Sequence, residues 1–244
     1  MHQKISQKIK KLEKITKKLS RVGIGSRRQI EKWIKEGRFD IDGKVLYDPA
    51  IRVDEKKKIY FDGKEIPKKE QTRLWKFYKP RGSLTSNYDQ KGRSLIFDFL
   101  PKNIPRVISI GRLDYNTEGL ILLTNDGELA RKLEMPSSGF LRKYRVRVHG
   151  IIEKKKLEEL SSGIIINSIK YKPIDVIFER QNKTNAWINM SLKEGKNREI
   201  RNIMEFFGWE VTRLIRLEFG PFKLGGLKEK TLMEVKYSSF SYLL

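Results

Sequence analysis

Cysteine is missing from the 244 residues, and histidine occurs only at His2 and His149. The first absence removes thiol nucleophiles, disulfides and cysteine-held zinc, and fits an intracellular, cytoplasmic protein. The second leaves too few imidazoles for a histidine-built metal site and makes a Ser-His-Asp relay a poor fit. His149, at the end of an apparent strand, reads as a rim residue. No apolar run is long enough to span a bilayer, no amino-terminal apolar segment resembles a secretion signal, and no self-similarity recurs at a period of about 20 to 50 residues. Acidic residues are also scarce: 53 Lys and Arg face 30 Asp and Glu, a net charge of +23. Solubility does not ask for so much charge, so the expected partner is a polyanion, nucleic acid rather than a membrane. Chemistry has to come from carboxylates, Arg, Lys and Tyr.

The length leaves room for about one to two domains. Ile5, Ile9, Leu12, Ile15 and Leu19 recur at helical spacing among lysines, predicting a basic amphipathic helix from Ser6 to Arg21 that Gly23 ends. Ser26 and Gln29 have capping-box spacing, and Ile30, Trp33 and Ile34 give the next short helix an apolar face before Gly37. Arg27 and Arg28 fall in its first turn, where the helix dipole disfavours cations and the free N–H groups receive anions. A phosphate would satisfy both, although solvated arginines there cost only a few tenths of a kcal/mol. Hairpins are predicted around Asp42-Gly43 and Asp62-Gly63. The polar stretch 67–73 reads as a linker between a first domain at 9–66 and a second at 74–241.

Trp75, Phe77 and Tyr78 open the second domain as an aromatic strand, closed by Lys79-Pro80-Arg81-Gly82, and Arg93 to Leu100 predicts a packed helix stopped by Pro101. The stretch around which the chain is organised follows. Val107, Ile108 and Ile110 predict a strand, Leu120 to Thr124 predicts another, and Asp114 hangs in the polar loop between them, one residue from Arg112. The second strand stops at Asn125-Asp126-Gly127, where Asn and Gly tolerate positive φ, before a short helix at Glu128 to Leu133. Spacing alone favours Asp114 as an ordinary turn residue, with Arg112 its solvated partner. Farther on, Lys143 to Val148 alternates as a strand with one basic face, Lys154 to Leu160 reads as a surface helix, and Ile174 to Glu179, Ala186 to Leu192 and Val211 to Leu217 read as strands. The run from Glu194 opens a helix with Ile200, Ile203, Met204 and Phe207 on one side and Arg198 and Arg201 beside it. Many antiparallel-type strands with few helices predict an α+β domain.

The wording of Gly111 to Gly127, with Arg112-Leu113-Asp114, Thr117, Gly119-Leu120 and Leu123-Thr124-Asn125-Asp126-Gly127, resembles the signature stretch of the pseudouridine synthases that act on single ribosomal RNA sites. Leu12 to Ile66, with Gly25-Ser26-Arg27-Arg28, Gly37-Arg38, Asp42-Gly43-Lys44-Val45 and Asp62-Gly63-Lys64, resembles the αL RNA-binding module. The resemblance covers both domains, from about Leu12 nearly to the carboxyl end, and is closest to members that modify large-subunit ribosomal RNA. It implies a small amino-terminal αL domain ahead of a catalytic domain with a mainly antiparallel mixed sheet flanked by helices. It also implies a monomer whose partner is ribosomal RNA, free or within a partly assembled subunit. The reaction cleaves the bond from uridine N1 to the sugar, turns the base and rejoins it through C5; nothing is oxidised and no cofactor is required. Met135 before Pro136-Ser137 and Asn202 after Arg201 depart from the family pattern, where His and a second Arg are common.

By that resemblance Asp114 is the catalytic carboxylate and Arg201 the cation that keeps it ionised. Tyr144 is the stacking platform and a candidate proton acceptor at C5, and Leu214 is the apolar wall. Arg27, Arg28, Arg38, Lys79, Arg81, Arg112, Lys143, Lys196 and Arg198 are the expected RNA contacts. Each has a plain alternative: cross-strand packing for Tyr144, core for Leu214, a phosphate clamp for Arg201. If the strand persists past Ile110, Arg112 shares a face with Asp114. Two rivals stay open, a non-catalytic RNA-binding or ribosome-assembly protein using the same basic faces and a hydrolytic nucleosidase that releases free uracil.

Overall fold

The computed structural model describes residues 12–54 and 56–244, and the chain divides into two compact units, one ending at Thr72 and one running from Arg73 to Leu244. In the first, strand β1 (Glu13–Lys14) precedes helices α1 (Ile15–Arg21) and α2 (Arg27–Lys35), followed by β2 (Phe39–Ile41), β3 (Lys44–Leu46), β4 (Arg52–Val53), β5 (Ile59–Phe61) and β6 (Lys64–Glu65). The long basic helix expected from Ser6 is corrected. Its part before Leu12 lies outside the described residues, and within them Glu13 and Lys14 pair with Val53 and Arg52 as a strand, so helix begins only at Ile15. Ser26 caps α2, its hydroxyl accepting from the Gln29 N–H at 3.2 Å. The two hairpin turns take the form that Asp-Gly pairs suit: φ is positive at Asp42 and Gly43 and again at Asp62 and Gly63. Ile15, Leu19, Ile30 and Ile34 from the helices bury against Phe39 and Ile59.

The second unit is built on β7 (Leu74–Lys79), β8 (Ile108–Ile110), β9 (Glu118–Thr124), helix α3 (Gly127–Glu134), β10 (Arg142–His149), α4 (Lys154–Glu159), a hairpin of β11 (Ile164–Ile166) and β12 (Ile169–Tyr171), β13 (Asp175–Asn182), β14 (Asn185–Leu192), α5 (Glu199–Phe206), β15 (Glu210–Phe219), β16 (Phe222–Lys223) and β17 (Leu232–Glu234). Its main sheet runs β13-β14-β10-β15-β9-β7-β17, with β16 on β15 and β8 on β9. All pairings are antiparallel except β15 with β9. Every residue of β9 is buried, as a central strand covered on both faces requires. Ile121 and Leu123 join the core beneath α4 and α5, while Leu120 and Leu122 join the core beneath α3 and the carboxyl-terminal Phe240 and Leu243. Among the described residues no helix is long and apolar enough to cross a membrane.

Three local expectations are corrected. Arg93 to Leu100 forms only a single 3-10 turn, Ile96–Phe99, because Leu95 is held extended by a bridge to Leu84 and its N–H is taken by the Asp98 carboxylate. Neither Asn125 nor Gly127 adopts positive φ; Asp126 instead caps α3, accepting from the Glu128 and Leu129 N–H groups. The run from Glu194 to Arg198 is loop, with Arg198 left-handed at φ 50° and helix starting at Glu199.

One feature of the sheet places the Asp114 loop. One edge of β9 is shared by two strands: β8 pairs with Leu122 to Thr124, and β15 pairs with Glu118 and Gly119. The loop 111–117 leaves β8 and enters β9 at this fork. The close parallel approach depends on Gly119, at φ 102°, where a Cβ would lie 2.4 Å from the Arg216 carbonyl oxygen.

Candidate active site

A cleft of about 910 Å³ opens beside the fork. It collects side chains from four distant parts of the sequence: Asp114 from the loop, Tyr144 from β10, Arg201 from α5 and Leu214 from β15. Tyr144 and Leu214 sit on one sheet face because β10 and β15 are paired with Val146 opposite Leu214 and Tyr144 opposite Arg216. Both are nearly buried, at 8% and 5% exposure, yet line the cleft. Arg112, Lys196 and Arg198 also line it and are exposed.

The expected Asp114–Arg201 ion pair is not formed. The Arg201 guanidinium clamps backbone instead, Nη1 donating to Val211 O and Nη2 to Asn116 O, each at 3.0 Å. It thereby ties α5 to β15 and to the Asp114 loop. Burial and the neighbouring Arg198 pull Arg201 below the ordinary arginine range, while the Asp114 charge acts in the opposite direction. Half-buried Asp114 makes no side-chain hydrogen bond or ion pair among the described residues, so its carboxylate faces the cleft unengaged.

Lys79 is a second correction. It is fully buried, and its ammonium donates to Thr117 O at 2.7 Å and Pro80 O at 3.1 Å, so no phosphate reaches it. Strand alternation in β7 turns it inward with Trp75 and Phe77. Burial lowers its pKa from 10.5 to about 8 against the pull of Asp114 and Glu118. Exposed Arg81 lies outside the cleft lining and donates to Thr212 O at 3.3 Å. Lys143 alternates with Tyr144 and so faces the other side of the sheet from the cleft. Arg112 lies in loop rather than strand, since β8 ends at Ile110; the loop, not strand alternation, brings it to the cleft. In the first unit Arg27 and Arg28 are exposed on the first turn of α2, while Arg38 pairs with Asp62 and lies over the Trp33 and Phe61 rings.

Arg216 was not among the expected site residues. It is 2% exposed, and its Nε donates to Leu120 O at 2.7 Å, filling the gap in the fork between the β8 and β15 pairings. Burial pulls it below the ordinary arginine range, and Tyr144, its cross-strand neighbour, acts in the opposite sense. Leu214-Ile215-Arg216 reads in the sequence as plain strand; that its arginine plugs a split sheet is visible only in the fold. Glu118 was missed as well. Burial alone would raise its pKa, but the forked bond from Arg213 (2.6 and 3.1 Å) and the Tyr78 hydroxyl (3.1 Å) outweigh it, holding the carboxyl below the usual glutamate range. Asn202, where the family pattern has a second Arg, donates to Tyr171 Oη and Asn197 O and so braces the loop ahead of α5.

Comparison with known proteins gives two family matches: residues 73–206 match the RNA pseudouridylate synthase model and residues 16–59 the S4 domain. An uncharacterized RNA pseudouridine synthase of Rickettsia prowazekii is 44% identical over 91% of this chain and 94% of its own. The ribosomal large subunit pseudouridine synthase B of Salmonella typhi is 40% identical over 95% of this chain and 82% of its own. A crystal structure of a pseudouridylate synthase, 24% identical, superposes with a TM-score of 0.66 over 94% of this chain and 98% of that one, which shows a shared fold. With a match across more than half of its length and relatives this similar, the chain belongs to the RNA pseudouridylate synthase family, enzymes that isomerise uridine to pseudouridine in RNA.

Proposed function

We propose that this protein converts uridine to pseudouridine in large-subunit ribosomal RNA, with the cleft beside Asp114 as the reaction chamber. The likeness to synthases named for the large ribosomal subunit supports the substrate. The observation that carries the chemistry is the unengaged Asp114 carboxylate in a cleft walled by Tyr144 and Leu214. The uridine leaves its stack and enters with its sugar toward Asp114, whose carboxylate assists departure of the base from C1′. The freed uracil lies on the Tyr144 ring, turns against the dry Leu214 surface and bonds C1′ through C5. The C5 proton passes to the Tyr144 hydroxyl oxygen as that hydroxyl hands its own proton to water, and N1 takes a proton from solvent, so the product has the composition of the starting uridine. Arg201 fixes the loop that carries the carboxylate and adds positive charge nearby. Arg112, Lys196 and Arg198 hold phosphates at the mouth, and Arg27 and Arg28 bind flanking backbone through the S4 domain.

Extruding an unpaired base costs only a few kcal/mol, which favours a loop, a bulge or an incompletely assembled subunit as substrate. The protein acts in the cytoplasm as a monomer. The test incubates wild type and Asp114→Asn with unmodified large- and small-subunit ribosomal RNA and maps pseudouridine. Product at one or a few large-subunit uridines is expected with wild type, and none with Asp114→Asn, which still binds RNA. Product confined to small-subunit RNA, release of free uracil, or an active Asp114→Asn would contradict the proposal.

A further inference from the structure

The Asp114 loop is fastened along its length. Glu134 Oε1 accepts from the Gly111 N–H at 2.6 Å, the Gly82 N–H donates to Tyr115 O at 2.8 Å, and Arg201 Nη2 donates to Asn116 O at 3.0 Å. Lys79 holds Thr117 O, and the Thr117 N–H closes on Asp114 O at 3.0 Å. Leu113, just before the carboxylate, is buried at 7% exposure, and both its backbone groups meet one atom. The Thr85 hydroxyl accepts from the Leu113 N–H at 3.3 Å and donates to Leu113 O at 3.1 Å, as an adjoining strand would with two groups. Thr85 is itself anchored: its neighbour Leu84 bridges Leu95, with bonds from the Leu84 N–H to Ser94 O at 2.9 Å and from the Ile96 N–H to Leu84 O at 3.0 Å.

We propose that Thr85 is a positioning residue for the isomerisation, its hydroxyl setting the aim of the Asp114 carboxylate through Leu113. This rests on the reading of Asp114 as the reacting group. The Leu113 carbonyl belongs to the peptide that leads into Asp114, so rotating that peptide swings the Asp114 side chain. Without the hydroxyl, a buried N–H and C=O lose their partner, and the peptide turns toward the water of the cleft. Valine has the shape of threonine but neither donor nor acceptor, whereas serine keeps both.

The experiment measures steady-state kinetics on an RNA substrate, RNA affinity, and amide hydrogen exchange for wild type, Thr85→Val, Thr85→Ser and Asp114→Asn. A displacement near 1 Å costs about 100-fold, so Thr85→Val should lower kcat about 10- to 100-fold. Its KM and affinity should stay within about twofold of wild type, with Thr85→Ser close to wild type throughout. The Leu113 amide should exchange faster in Thr85→Val while those of α5 and β10 are unchanged. Should Thr85→Val not fold, Thr85→Ala, which also has neither donor nor acceptor, replaces it with the same expectations. Full kcat in Thr85→Val, equal losses in the valine and serine variants, or a loss confined to KM overturns the proposal. An active Asp114→Asn overturns both the functional reading and the proposal; an inactive one beside a fully active Thr85→Val overturns the proposal alone.

Discussion

Lys79→Met removes a charge that the fold buries at a cost, and the cost can be read as a change of stability with pH. The lysine titrates at about 8 when folded against 10.5 when exposed, and each pKa unit corresponds to about 1.4 kcal/mol. In that window the unfolded chain holds a proton that the folded chain has released, so wild-type stability rises with pH. From about pH 7 to about pH 10 this one group raises stability by about 2 to 3 kcal/mol. Methionine leaves Thr117 O and Pro80 O without their donor, which lowers stability by about 1 to 3 kcal/mol each at every pH, an offset without a slope. Other lysines and tyrosines titrate in both proteins and cancel in the difference. Guanidinium denaturation across this range should show the gap between wild type and variant widening by about 2 to 3 kcal/mol toward alkaline pH. Parallel curves would refute the burial argument. The same variant should leave the salt dependence of RNA binding unchanged, whereas loss of a phosphate contact would reduce the log-log slope by about 0.7.

Gly119→Ala would place a Cβ against the Arg216 carbonyl at positive φ, and strain of about 1 to 3 kcal/mol should lower the melting temperature by at least about 2 °C; an unchanged midpoint would show that β9 and β15 can separate freely. Glu118→Gln should weaken the protein near neutral pH. The contribution of the ionised carboxyl is complete above its ordinary value of 4.5 and fades as pH falls through the lower folded value, so the gap to wild type should close in acid. Replacing Arg27 and Arg28 together by Ala should reduce the salt slope of RNA binding by about 1.4 to 1.8 and leave kcat at saturating RNA unaltered; an unchanged slope would remove them from the interface.

Much of this was legible because local chemistry and global fold agree. The Asp-Gly turns, the Ser26 cap and the apolar run of β9 are all settled by neighbours in sequence, and the wording around Asp114 carries the family resemblance without any geometry. What failed depended on partners far along the chain. Glu13 and Lys14 are strand because Arg52 and Val53 lie beside them, and Lys79 reads as a surface cation until β7 is seen to turn it inward. Arg201 was expected to meet a carboxylate and instead meets two carbonyls 10 and 85 residues away in sequence. The fork that Arg216 fills is a property of three strands together, which no window of sequence contains.

The central claim is that one extruded uridine occupies the cleft between Asp114 and Tyr144. A structure of the protein bound to an RNA fragment carrying 5-fluorouridine at the mapped position tests it directly. The account predicts the pyrimidine lying on the Tyr144 ring beside Leu214, with its sugar against the Asp114 carboxylate. A uridine still stacked within its strand, or extruded onto another surface with the cleft empty, would contradict it.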